Sequence, residues 1–530
     1  MRLSPMSSSL MRIPAARRGL ITRSPIRSLI LSRDFSFKKN ADAKERVVIL
    51  GSGWAGYSLA RTLDPAQYER IVISPRPYFV FTPLLASTSV GTLEFRNILE
   101  PIRRIPGKIG FYQGWADDID FNRKTIKVET NAAEEAASKT VVPPPGGQIT
   151  VRAKGDLIDI RYDKLVIACG AYSQTFGIEG VREHAHFLRD IGDARRIRLR
   201  VLSLFEQCSY PNGSDHLTVD DKRKLLHFAV VGGGPTGIEW AAELNDLIYD
   251  DLGKMYPHLL PFVKISVYDV APKVLPMFDQ ALATYAMEHF ARQGIEVKTE
   301  HHLERIRLAD GRLGQKHGGL GLKIKEYGDK EVGAGMVVWS TGLMANPLIS
   351  KIASKSHTIF PYTNGSANPK TGEPSTTRHL VVDQRTGGLM TDGQLRAQTV
   401  TAENKKGVMD DVFVIGDCAV IEDDPLPKTA QVAAQQATFL AKQLNRKAFE
   451  EAGKKEEAAA TFKFRNWGTL TYLGGWKAIH QSKADELKGW VAWIVWRGAY
   501  LTKAMSWRNK ALVPIYWMIS WIFGRGISRF

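Results

Sequence analysis

Val47-Val48-Ile49-Leu50-Gly51-Ser52-Gly53-Trp54-Ala55-Gly56-Tyr57-Ser58-Leu59-Ala60 decides how the rest of the chain is read. Four apolar residues predict a buried strand that runs into a G-x-G-x-x-G turn, and the residues after it have helical composition. In that arrangement Gly51 permits the tight turn, Gly53 lets backbone approach a pyrophosphate, and Gly56 lets helix and strand pack closely. The helix N-terminus then offers free N–H groups and a positive dipole end to the phosphates, so Ser52, Trp54 and Ala55 join the cofactor candidates. One such loop is weak evidence, but a second follows in Phe228-Ala229-Val230-Val231-Gly232-Gly233-Gly234-Pro235-Thr236-Gly237-Ile238-Glu239. Two loops predict an α/β chain with two Rossmann-type dinucleotide-binding domains.

Each loop predicts its own surroundings. Glu69–Ser74 reads as the strand whose last residue normally supplies an acid to the adenosine ribose; here a hydroxyl, Ser74, must serve. Pro75 through Leu85, including Thr82 and Pro83, is too Pro-rich and aromatic for a helix. Tyr162–Ala171 is a strand ending in small residues, with Gly170 suited to close approach. The second unit spans about Leu225 to Gly342 and ends on Thr341-Gly342. Its acid, Asp269, can accept from both ribose hydroxyls, and Val270, Ala271 and Pro272 supply no arginine for an extra phosphate, so NADH is expected over NADPH. Val412–Ala419 predicts another buried strand, delivering Asp417 to a flavin ribityl chain beside Gly416. In the following helix Gln431 and Gln435 share a face, where neutral amides could bond a carbonyl acceptor. The N-terminus of that helix, aimed at a flavin, would favour the anionic reduced ring.

The 530 residues suffice for two or three domains, and three widely spaced cysteines exclude a disulfide scaffold, a zinc ribbon or a C-x-x-C dithiol. The net charge of +17 is uneven. Residues 1–33 hold seven arginines and no acid, the composition of a mitochondrial transit peptide, with a processing site expected before Ser36. Removing 1–35 takes away seven positive charges and one negative, leaving +11. The polar stretch 36–46 offers no stop-transfer segment, so the matrix is the expected destination. Residues 131–156, 351–379 and 447–461 read as polar inserts. His301-His302 beside Glu300 reads as a solvated face, and no metal site is expected.

From Leu487 to Phe530 there is no acid, seven Lys and Arg, and six of the twelve tryptophans, the pattern of an element lying at lipid headgroup level. Its longest charge-free run, Ala511 to Gly524, is 14 residues, about 21 Å as a helix against a ~30 Å hydrocarbon core. Peripheral, monotopic association is expected, with the mixed helical faces leaving room for a homodimer contact. Deleting 487–530 is expected to release a soluble flavoprotein with poor quinone activity.

Taken together and in order, these stretches resemble the mitochondrial type II (alternative, rotenone-insensitive) NADH:ubiquinone oxidoreductases, in a fungal-like form. The likeness rests on Gly51 through Gly56, Ser74-Pro75 through Leu85, Thr175–Ile178, Gly232–Glu239, Gly416–Ala419 and Ala430–Gln435, and covers roughly residues 45–530. It implies a glutathione-reductase-like flavoprotein with one non-covalent FAD, NADH as donor, ubiquinone as acceptor and no proton pumping at the inner membrane. It places Ala430, Gln431 and Gln435 beside the isoalloxazine and quinone, with Glu239 positioning the nicotinamide. It also implies an FAD domain split into 45–190 and 343–480, an NADH domain at 191–342, and a membrane-anchoring region at 481–530. Two alternatives stay open. A sulfide:quinone oxidoreductase would need a cysteine pair, such as Cys169 and Cys418, near the flavin. A flavoprotein resembling apoptosis-inducing factor would bind NADH to switch conformation. Nucleic-acid binding is the least favoured reading, because the positive charge sits in the leader and the tail, not among stacking aromatics.

Overall fold

A computed structural model describes residues 44–130, 155–210, 217–359, 362–363, 366–367, 376–450, 460–482, 485–503 and 505–528. The leader expected over 1–35 lies outside them. The strand Glu45–Leu50 pairs in parallel with Tyr68–Ser74 on one side and Lys164–Ile167 on the other. Ile109–Asp120 extends the sheet beyond the first neighbour and Lys406–Val414 beyond the second, again in parallel. Segments from both sides of the second nucleotide unit thus complete one sheet. Parallel strands are covered on both faces, which is why Val47–Leu50, Leu165–Ile167 and Val412–Ile415 are unbroken apolar runs and are buried throughout.

The second sheet has the order His186–Phe187, Met336–Trp339, His227–Val231, Lys264–Tyr268, Ile295–Lys298, all parallel. His186–Phe187, expected in the first domain, is therefore the edge strand of this sheet. In each sheet the strand that carries the glycine loop has neighbours on both sides, so the loop opens at the crevice where the strand order reverses direction. Ala171–Ser173 pairs antiparallel with Leu343–Ala345, tying together the two crossings between the sheets.

The C-terminal unit starts earlier than residue 481. Thr469–Gly474, Lys477–Gln481 and Glu486–Gly489 form an antiparallel sheet, followed by helices Trp490–Lys503 and Trp507–Phe523. One face of these helices is internal: Ala492, Trp496, Val513 and Trp517 are buried in the same core as Trp240 and Leu244 of the helix Pro235–Asp246. The other face is bare, with Trp490, Trp507, Trp521 and Phe523 between 67% and 85% exposed. Beyond the last helix, Arg525 donates to Asp251 (2.7 Å), to the Asp246 carbonyl (3.2 Å) and to Thr92 (3.0 Å). Arg198 holds the Gly526 carbonyl. The expectation that removing 487–530 releases a soluble flavoprotein is thereby corrected: the cut would strip two buried tryptophans, each worth about 3–5 kcal/mol, and leave the three carboxylates around Arg525 without their cation.

Candidate functional site

The two glycine loops have the same geometry. The first glycines, Gly51 and Gly232, have φ of 113° and 112°, a region closed to other residues. A Cβ on the third glycine would lie 2.0 Å from the Gly51 carbonyl oxygen at Gly56, and 2.1 Å from that of Gly232 at Gly237. A Cβ on the middle glycine, Gly53 or Gly234, meets no protein atom within 4 Å. Each loop is thus closed toward its own helix and open on the outside, where a ligand backbone can approach the N-termini of the helices Trp54–Thr62 and Pro235–Asp246.

One cavity of about 620 Å3 joins them. At the first loop it is lined by Gly51, Ser52, Gly53, Trp54 and Ala55, with Ser74, Thr82, Pro83, Gly170, Gly416, Asp417 and Ala430 around it. At the second it is lined by Pro235, Thr236, Glu239, Thr341 and Gly342. Gly56, Gly232, Gly234, Gly237 and Asp269 shape the loops without lining this cavity. The Ser52 and Ser74 hydroxyls are 2.9 Å apart, and the Trp54 indole N–H donates to Thr82 at 2.9 Å. Asp269 accepts from the Gly233 and Ala271 amides, which sets its carboxylate against the second loop.

Several lining residues carry no sequence signal of their own. Arg76, Arg189 and Lys428 bring positive charge to the cavity. Arg189 lies 3.8 Å from Asp417, its Nη1 is buried without a protein partner, and burial lowers its pKa. Burial also raises the Asp417 pKa, against the pull of Arg189 and Lys428. The buried Gln436 accepts from the Gly416 amide at 2.7 Å, fixing the turn that presents Asp417. Leu470 and Tyr500, from the C-terminal unit, also line the cavity. This donor set fits FAD: a buried guanidinium nitrogen without a protein partner and a glycine cradle for the pyrophosphate, and an acid for hydroxyls.

Gln431 and Gln435 do not line the cavity. Gln431 donates to the Gly468 carbonyl (3.1 Å) and accepts from Trp467 N (3.0 Å); Gln435 donates to the Arg465 carbonyl (2.8 Å) and accepts from Arg465 N (3.0 Å). Each amide makes one donated and one accepted bond to backbone, which holds the segment 465–468 against the helix Ala430–Glu450, and each keeps a second N–H and a second lone pair. Glu239, in contrast, reaches the cavity. One of its oxygens accepts from Tyr472 N (3.2 Å) and from the Trp496 indole (3.4 Å), and desolvation pushes its pKa up to about 8.

Two open cradles on one cavity define an oxidoreductase of the two-dinucleotide class, and residues 45–358 match the family described as pyridine nucleotide-disulphide oxidoreductase. Residues 467–526 match the NDH2 C-terminal domain. The chain is 34% identical over 515 residues to a probable NADH dehydrogenase of Dictyostelium discoideum, covering 96% of each. It is 33% identical to an internal alternative NAD(P)H-ubiquinone oxidoreductase A1, mitochondrial, of Solanum tuberosum, over 92% of this chain and 89% of the other. It therefore belongs to the type II NADH dehydrogenases, the alternative NAD(P)H-ubiquinone oxidoreductase family. The fold is similar to that of NDH2 from Plasmodium falciparum solved with NADH (TM-score 0.72, 24% identity, 92% of this chain and 100% of that one).

Proposed function

We propose that this chain oxidises NADH, holds one FAD in the first cradle, and passes the electrons to ubiquinone at the matrix face of the mitochondrial inner membrane, without pumping protons. The observation that carries the reading is the single cavity running from both glycine loops to Leu470 and Tyr500, beneath helices whose outer face is apolar. The relative in potato is named for ubiquinone, and the arginine-rich leader without a stop-transfer segment supports the matrix. FAD, when bound, supplies the two-electron chemistry. The protein's residues do the rest. The Gly51–Gly56 loop with Arg189 binds the diphosphate, Asp417 orients the hydroxylated chain, and the Gly232–Gly237 loop with Asp269 binds the nicotinamide nucleotide. Glu239 holds a proton below about pH 8 at the cavity wall. Leu470 and Tyr500 contribute apolar surface from the C-terminal unit to the cavity wall.

A flavin spectrum on the purified protein and an assay of NADH against a short-chain quinone test this; absence of NADH-dependent quinone reduction by a flavin-loaded protein would overturn it. In the same assay kcat/KM for NADH should exceed that for NADPH at least about tenfold, because a 2′-phosphate would meet the Asp269 carboxylate as a like charge. Comparable values would refute the role of Asp269.

Membrane association is read from the bare helical face. Replacing Trp490, Trp507, Trp521 and Phe523 together by serine removes four exposed aromatics and no core contact. Partition onto vesicles with the phospholipids of the inner membrane should fall about 100-fold or more. Unchanged flotation with the vesicles would end the assignment.

A further inference from the structure

A guanidinium of the C-terminal unit has no anion among the described residues. Arg497, on the helix Trp490–Lys503, lies over the ring of Trp493 at 4.1 Å and that of Trp517 at 4.5 Å, with the ring of Trp476 at 5.9 Å. Trp476 in turn meets Trp493 and Trp521, with ring centres 4.9 and 6.2 Å away. The Arg497 Nε is buried without a partner, and its Nη1 and Nη2, which are not buried, find none among the described residues either. Glu243, whose charge reaches it, accepts instead from the Ser87 and Thr92 hydroxyls at 2.5 and 2.9 Å. Burial lowers the Arg497 pKa to about 10, so the group remains a cation at neutral pH. Ring faces attract that cation, but they do not replace the oxygen acceptors that its N–H groups need.

The surroundings say what the missing anion belongs to. Trp476 and Trp521 are exposed, as are Ile494, one turn back on the helix of Arg497, and Ile522 and Phe523 beside Trp521. A free anion would satisfy the cation and leave this rim bare, whereas a phospholipid brings an anionic headgroup to the one and acyl chains to the other. Residues 487–530 carry seven Lys and Arg and no acid, so a headgroup ammonium meets like charge there and a net-negative headgroup does not. We propose that Arg497, held among Trp476, Trp493 and Trp517, binds the phosphate of one anionic phospholipid, a selection of lipid by charge that goes beyond partition of the bare aromatic face. The proposal rests on the membrane association read above. Two nitrogens of the planar guanidinium donate to the two non-bridging oxygens of the phosphodiester, a fork that an ammonium cannot match. Trp493 and Trp517 fix the plane of that fork before the lipid arrives, so little side-chain freedom is lost on binding.

The FAD-loaded protein is floated at physiological salt with vesicles of phosphatidylcholine alone and of phosphatidylcholine mixed with phosphatidylglycerol. The parent should bind the mixed vesicles at least about tenfold more tightly than the plain ones. Arg497→Lys should lose about tenfold on the mixed vesicles and nothing on the plain ones. Lysine keeps the charge and loses the fork, so this loss reports the site and not the field of the whole tail. Arg508→Lys, at an exposed arginine outside the tryptophan cage, should bind as the parent does. Should Arg497→Lys fail to fold, Trp476→Leu at an exposed ring takes its place, and the ratio of mixed to plain binding should fall about threefold. A parent without preference, a parent-like Arg497→Lys, equal losses from both lysine variants, or an unchanged ratio in Trp476→Leu would each overturn the proposal. So would inorganic phosphate that raises the melting temperature of the parent, and not of Arg497→Lys, as much as the mixed vesicles do, because the site would then take a free anion. A parent that floats with neither vesicle strikes the membrane association itself, and this site with it; one that floats equally with both strikes this site alone.

Discussion

Replacing Gly56 by alanine is expected to give a protein that purifies without its flavin. The new Cβ would lie 2.0 Å from the Gly51 carbonyl oxygen and 3.2 Å from the Ile49 side chain, on the helix that starts at Trp54. A contact that short must be relieved by backbone movement, because neither the carbonyl nor the buried strand end has a rotamer to change. The loop and the helix N-terminus therefore separate, and the amides aimed at the pyrophosphate lose their common focus. Overpacking of this kind costs about 1–3 kcal/mol, and if most of it falls on the bound state FAD retention drops about 10- to 100-fold. The ratio of flavin to protein absorbance measures it, and a stoichiometrically yellow Gly56→Ala protein would refute the assignment of the first loop to FAD. Gly53→Ala separates protein from ligand effects. Its Cβ meets no protein atom, so flavin loss with an unchanged melting curve would report the pyrophosphate's own position.

Glu239→Gln should keep the fold and the flavin while lowering quinone turnover about 100-fold, the usual scale for removing a positioned acid. The substitution is structurally mild because both protein donors, Tyr472 N and the Trp496 indole, use the same carboxyl oxygen, and an amide oxygen can accept both. What is lost is a proton that can be given up at a cavity wall. Burial raises the pKa of this acid, so the folded chain keeps it neutral to about pH 8 while the unfolded chain ionises it above about 4.5. The folded state therefore binds the extra proton between these values. The stability this provides is complete below pH 4.5 and is lost as pH rises toward 8, by a few kcal/mol in all. The glutamine variant should lack that slope and unfold at a higher temperature than the parent at pH 9. Its rate profile should lack an inflection near pH 8. A parent-like rate and profile would remove Glu239 from the reaction.

Both cradles were legible in the sequence because they are local objects. The spacing of three glycines fixes a positive φ, an open outer side and a close helix contact within six residues, and the structure repeats that geometry at Gly51 and Gly232. The position of Asp269 beside the second loop was legible for the same reason, since it directly follows the strand Lys264–Tyr268. The backbone partners of the glutamines were not legible, because they come from elsewhere in the chain. Nothing near Gln431 and Gln435 tells that the segment 465–468 folds back over the helix, and a shared helical face has the same pattern whether it meets a ligand or a loop. Arg189 and Tyr500 were missed on the same ground, as each reaches the cavity from another domain's boundary or from the tail. In the tail, the number of tryptophans pointed to lipid, but which of them face outward is set by packing on the helix Pro235–Asp246. Trp496 and Trp517 turn in, whereas Trp490 and Trp521 turn out.

The grip of Arg525 on Asp246, Asp251 and Thr92 has a consequence for biosynthesis. The first sheet lacks a strand until residue 414 has been made, and the common core lacks two tryptophans and its closing cation until residue 525 has been made. Chains shortened by premature termination or by clipping ahead of the final helix are therefore not smaller working dehydrogenases. They are unfinished cores, and their expected fate in the cell is degradation.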